Sequence, residues 1–111
     1  MTNSNAGLDM HTIVCIMGRM KLTWDEAKRQ VTLRDRGIDF ADAKLVFAGP
    51  TVEYEDTRRD YGECRMICFG LLSDRLVAVG YVERGDGRHI FSMRKANDRE
   101  IERYAQLLEK D

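Results

Sequence analysis

A chain of 111 residues suggests one domain, and a hydrophobic share of 43% is enough to fill a core. A formal net charge of −1, with charged residues well mixed along the chain, excludes a globally basic nucleic-acid binder, so any such contact has to come from a local patch. The longest apolar runs, Thr12 to Met17 and Met66 to Leu72, are far too short to cross a bilayer as helices.

In chain order, Met1 to Gly7 reads as a small, polar, mobile tail. Residues 1–20 are an extension ahead of a domain at 21–111. Within that extension, Thr12 to Met17 is either an extra edge strand or sequence upstream of a natural start at Met17 or Met20. No cation precedes its apolar run and Asp9 does, so it does not read as a signal peptide, and a cytoplasmic protein is expected. The stretch "TWDEAKRQVTLRDRG" predicts a helix over Trp24–Arg36. Thr23 is its N-cap with Glu26 three residues on, Gly37 its stop, and Trp24, Ala27 and Val31 its apolar face. A second helix follows at "DFADAKLVFAGP", capped by Asp39 and stopped at Gly49 and Pro50.

After Pro50 the apolar period changes to two. Strands are predicted near Val52–Glu55, Arg65–Leu72, Leu76–Glu83 and His89–Met93, joined as an antiparallel meander. A last helix starts at Asn97 as N-cap, with Glu100 completing a capping box and Ile101, Tyr104, Ala105 and Leu108 as its buried face. The fold class is therefore α+β: an N-terminal helix pair, an antiparallel sheet of about four strands, and a C-terminal helix, with the helices against one sheet face.

Three cysteines, Cys15, Cys64 and Cys68, make an odd number with no disulfide spacing. Cys64 and Cys68 on one strand would stand roughly 13 Å apart, beyond the reach of a bridge. With no paired-cysteine motif and only His11 and His89, no metal site and no cofactor are expected.

Arg94 and Lys95 close the last strand just before a helix start. They are either a solvated pair or an anion seat, and strict alternation puts Arg94 with Ser92 on the sheet face opposite Phe91 and Met93. The run "DTRRDYGECR" interleaves three arginines with three acids, the composition of a solvated loop or of a binding cluster. Lys28 and Arg29 lie on the first helix. No nucleophile motif or phosphate-binding glycine loop is present in the sequence.

Three segments in order, "TWDEAKRQVTLRDRGIDFADAKLVF", "DTRRDYGECRMICFG" and "YVERGDGRHIFSMRKAN", resemble the BrnT toxins of bacterial type II toxin–antitoxin systems. The resemblance runs from about Lys21 to Tyr104. It implies a RelE-like fold and a metal-independent endoribonuclease that cuts RNA and halts translation. It also implies a BrnA-type antitoxin with a ribbon-helix-helix DNA-binding part, so that promoter DNA is met only through the complex. The matching polar positions are Trp24, Lys28, Arg65, Arg94 and Lys95, with Tyr61, Glu63, Glu83 and Arg84. One departure is Arg36, where the family places a histidine before the helix-ending glycine. If that histidine takes part in the chemistry, a non-catalytic module binding only its antitoxin is the alternative.

Such chemistry needs cations to hold the phosphorane charge, and arginine suits the task because its fork bonds two phosphate oxygens. The sequence assigns Arg65 and Arg94 to the phosphate, with Lys95 as a weaker member and Lys28 as a further catalytic candidate. Trp24, Tyr81 and Arg84 are the candidates for contacting RNA. Lys28, Glu63, Glu83, Tyr81 and His89 can each serve as acid or base, and the sequence does not separate them.

Overall fold

The structure is a computed structural model and describes residues 12–17 and 20–109; the tail expected at Met1–Gly7 lies outside the described residues. The elements run β1 (Thr12–Met17), β2 (Met20–Asp25), α1 (Glu26–Arg36), a 3-10 turn (Phe40–Asp42), α2 (Ala43–Ala48), β3 (Thr51–Glu55), β4 (Arg65–Leu72), β5 (Arg75–Arg84), β6 (Gly87–Lys95) and α3 (Asp98–Glu109). No helix among the described residues is long and apolar enough to cross a membrane.

The α+β class and the β3–β6 meander are as the sequence predicts, but the sheet is larger and mixed. Its order is β1-β2-β6-β5-β4-β3. β2 runs parallel to β6, from Lys21 opposite Gly87 to Trp24 opposite Ile90, while the other neighbours are antiparallel. An antiparallel sheet of four strands behind an N-terminal helix pair is thus corrected: two strands precede the helices. The physical reason lies in "MKLTWD", where Leu22 and Trp24 are buried and alternate with more exposed neighbours. Trp24 therefore belongs to β2 rather than to a helix.

The N-cap moves accordingly from Thr23 to Asp25, whose carboxylate accepts from the backbone N–H of Ala27 at 2.9 Å and of Lys28 at 3.4 Å. The helix ends as expected: Gly37 takes φ 69° and its N–H donates to the Leu33 carbonyl. The apolar face expected on this helix is not covered. α1 buries no residue, and Val31 is 45% exposed. Polar ties hold it instead: Arg29 donates to both Asp39 carboxylate oxygens, at 2.7 and 3.0 Å, and Arg36 to the Met93 carbonyl at 2.9 Å.

Two cores form, one on each side of the sheet. Phe40, Ala43 and Val46 from the second helical segment pack with Leu22, Trp24, Val77, Val79, Tyr81, Ile90 and Met93. On the other face, Leu108 of α3 joins Phe69, Leu76 and Ala78, and the Phe69 ring stacks on Tyr104 at 4.7 Å. The helices are therefore not confined to one face. Of the face predicted for α3, Leu108 is buried, Tyr104 and Ala105 are partly buried, and Ile101 is 42% exposed.

β6 carries a bulge. Gly80 faces Ser92 while Tyr81 faces Ile90, leaving Phe91 as the extra residue. Ile90 and Met93 consequently share the first core, and Phe91 crosses to the second face, against the strict alternation expected. Gly80 makes room there: a Cβ at that position would come within 2.7 Å of the Phe91 ring and 2.6 Å of Ser92 Oγ.

Candidate active site on the second face of the sheet

Strand register sets a row of side chains across this face. Thr23 on β2 faces His89 on β6, His89 faces Val82 on β5, and Val82 faces Arg65 on β4. Since neighbouring strands lie about 4.8 Å apart, the His89 and Arg65 backbones stand roughly 10 Å apart, with buried Val82 as the floor between them. Arg84, two residues beyond Val82 on β5, shares the same face.

His89 is partly buried, and its Nδ1 lies 2.7 Å from Thr23 Oγ1. Burial holds its pKa below the ordinary histidine value of 6.5. The positive charges of Arg84 and Lys28 push the same way, while Asp25 and Glu63 oppose them. The imidazole is therefore neutral at pH 7. Lys28 is exposed on the first turns of α1, so the helix that buries nothing still delivers a charge to this site.

Arg65 is fixed from two sides. Its guanidinium carbon lies 4.3 Å from the centre of the Tyr61 ring and 4.8 Å from that of Phe91. Tyr61 is placed by the loop between β3 and β4, which the sequence left open between solvated loop and cluster. Asp56 is its buried centre: it accepts two bonds at 2.8 Å from Arg58 and one at 3.0 Å from the Tyr61 hydroxyl. Those bonds, with Arg58 first, hold the Asp56 carboxyl well below the usual carboxylate range. The bulge contributes the second ring by turning Phe91 to this face.

Glu63 stands between the arginines, 3.4 Å from Arg65 Nε and 3.7 Å from Arg84 Nη2. These long contacts on partly exposed groups are weak. Arg94 is held differently. Its two terminal nitrogens donate to the two Glu100 oxygens at 2.8 and 2.9 Å, a bidentate bridge. Glu100 in turn closes the capping box of α3, accepting from Asn97 N while its own N–H donates to Asn97 Oδ1.

Arg94 shares the face of Arg65, as the alternation predicts, but faces Ala78, four positions along β5 from Val82. That is about 13 Å along the strand and two strands across. The expected phosphate pair of Arg65 and Arg94 is thus drawn apart. Lys95 points to the opposite side, into a groove shared with Arg36 and Arg75. Arg84 lies on the His89 face, and Lys28 is tied to His89 only through its charge, which pushes the histidine pKa down.

The two aromatic candidates for RNA contact are inside the protein. Trp24 is 3% exposed with its indole N–H donating to Glu26, so it offers no ring face to a base. Tyr81 is 1% exposed; its hydroxyl donates to Glu53, and burial first and then that bond push its pKa up. Both sit on the face covered by α2 because the parallel β2–β6 pairing and the bulge set their parity. Glu83 lies 3.6 Å from Arg88 rather than beside His89. Thr23 was read as a cap and His89 as one acid–base candidate among several; the signal that joins them is a pairing between strands 66 residues apart.

Residues 24–100 match the family model described as ribonuclease toxin, BrnT, of type II toxin–antitoxin system. No curated protein matches the chain.

Proposed function

The chain belongs to the BrnT family of ribonuclease toxins of type II toxin–antitoxin systems, and on that premise we propose that its RNA-cleaving centre is the His89 row on the second face of the sheet. The toxin acts in the cytoplasm, cuts RNA and thereby stops translation. A BrnA-type antitoxin with a ribbon-helix-helix part neutralises it, and promoter DNA is reached only through that complex. The arrangement of helices about the sheet is read as RelE-like.

The observation that carries the site is the partly buried His89, its Nδ1 2.7 Å from Thr23 Oγ1, in one register row with Arg65 and on the face of Arg84; its lowered pKa keeps it neutral at pH 7. With Thr23 Oγ1 accepting from Nδ1–H, the Nε2 lone pair takes the proton of the RNA 2′-hydroxyl. The 2′-oxygen attacks phosphorus, and Arg65 and Arg84 hold the phosphorane oxygens once the phosphate displaces Glu63. The bond to the 5′-oxygen breaks, Lys28 supplies that oxygen's proton, and a 2′,3′-cyclic phosphate and a 5′-hydroxyl result. These groups supply charge and protons without a metal, so cleavage is expected to persist in chelator. Arg36 lies outside this centre, bonded to the Met93 carbonyl. The family's usual histidine there is therefore not required by this mechanism.

His89→Gln removes the imidazole base while keeping a polar side chain of similar length. Cleavage of an RNA oligomer by this variant is expected to fall at least about 100-fold, with the melting temperature close to that of the wild type. Unchanged cleavage and growth arrest in a stably folded His89→Gln would overturn the assignment.

A further inference from the structure

Away from the His89 row, a groove of about 410 Å³ opens where α1 ends and β6 leaves the sheet. Arg36 from the end of α1, Arg75 from the start of β5 and Lys95 from the end of β6 stand on its rim, with Asp42 as the one acid in its lining. Among the described residues, no carboxylate lies within ion-pair distance of any of these three cations, a lack they share with Lys28, Lys44, Arg59, Arg99 and Arg103; what sets them apart is that all three line one groove. Arg36 is also directed: its bond to the Met93 carbonyl fixes the guanidinium at the mouth. Ile38 and Leu72 supply aliphatic side chains to the lining.

We propose that this groove receives an acidic peptide segment of the antitoxin, anchored by an aliphatic side chain against Ile38 and Leu72 and by carboxylates on Arg36, Arg75 and Lys95. The proposal rests on the toxin reading, which supplies a protein partner. Three convergent unpaired cations call for an anionic occupant, and the volume suits a few side chains. RNA is the weaker occupant. Among the described residues, no aromatic ring lines the groove to stack a base. Lys95 opens to the opposite side from Arg94, so RNA seated on His89 and Arg65 does not pass over it. The antitoxin thus holds the toxin by a surface separate from the chemistry, and binding can persist while the catalytic row is altered.

The test uses the full chain and the antitoxin encoded beside it. Affinity of the pair is measured for wild type, Arg75→Glu and Lys95→Glu, at low and high salt, alongside binding of a single-stranded RNA oligomer. Each reversal is expected to weaken the antitoxin complex about tenfold or more at low salt and less at high salt, because rim charges are screened. Arg75→Glu leaves RNA cleavage by the free toxin unchanged. Antitoxin affinity that neither reversal moves overturns the inference. RNA affinity that falls while antitoxin affinity holds also overturns it, and assigns the groove to RNA. A wild-type pair that does not associate removes the partner itself, and with it this inference. Groove-dependent association by a toxin that cuts no RNA removes only the proposed chemistry.

Discussion

Removing the Arg94 side chain separates a structural from a catalytic arginine. The bridge to Glu100 consists of two charge-assisted bonds at 2.8 and 2.9 Å, with the Glu100 side chain 18% and the Arg94 side chain 42% exposed. Fully exposed pairs contribute under about 1 kcal/mol, and breaking a buried one costs about 3–5. The exposure of Arg94 places Arg94→Ala near the lower end, about 1.5 kcal/mol, or roughly 5 °C in melting temperature for a domain of this size. Glu100→Ala loses the same bridge and also the bond from Asn97 N, adding about 1 kcal/mol. A double-mutant cycle by urea melts is expected to return a coupling of about 1 kcal/mol between the two residues.

The bridge also sets a pH dependence. Arg94 lowers the Glu100 pKa, so the pair's contribution is present above the ordinary glutamate value and is lost as pH falls through the lower folded one. RNA cleavage, measured where each variant is folded, is expected to stay within a few-fold of wild type. Loss of cleavage beyond 100-fold in Arg94→Ala with an unchanged melt, roughly the effect of deleting a transition-state contact, would refute this reasoning and return Arg94 to the phosphate site.

Further outcomes follow from other contacts. The acid limb of the cleavage rate is expected below pH 6.5, because the folded pKa of His89 is lowered; below 6.5 the unfolded chain binds the proton more readily, so stability falls with pH until the folded value is passed. Gly87→Ala drives a Cβ into the Lys21 backbone carbonyl oxygen, which cannot move aside as a side chain could, and is expected to destabilise by at least about 2 kcal/mol in a denaturant melt. Leu108→Ala is expected to cost about 2–3 kcal/mol, since Leu108 is the buried anchor of α3. Burial pushes the Cys68 thiol up to about 11, so peptide mapping after alkylation at pH 8 is expected to find exposed Cys64 modified and Cys68 protected until the chain unfolds.

Local chemistry was the legible part of the sequence. Gly37 as helix stop, the Asn97–Glu100 capping box, the four meander strands and the opposed directions of Arg94 and Lys95 all follow from neighbours within a few positions. What escaped depends on distant pairing. "MKLTWD" has the period of a strand, yet Trp24 and Asp25 also open a helical pattern, and only the contact with β6 decides between them. The bulge at Phe91 depends on Gly80 of the neighbouring strand. Whether an arginine is free for phosphate depends on how tightly its acid holds it, and the 2.8 Å of Arg94–Glu100 against the 3.4 Å of Arg65–Glu63 is not written in composition or spacing. The family resemblance pointed to Arg65 and Arg84, which share Glu63, and equally to Trp24, which is buried.

The parallel pairing of β2 with β6 has a kinetic consequence. Its strands close the longest-range contacts in the sheet, and loop-closure entropy makes such contacts late and slow to form. Thr23 emerges from the ribosome 66 residues before His89, and the local β3–β4 and β4–β5 hairpins can form in between. Until β6 docks between β5 and β2, the growing chain has strands and helices but no assembled His89 row. With cleavage at the proposed row, a newly made chain is expected to cut no RNA until this last strand inserts, an interval in which an antitoxin already present can meet it.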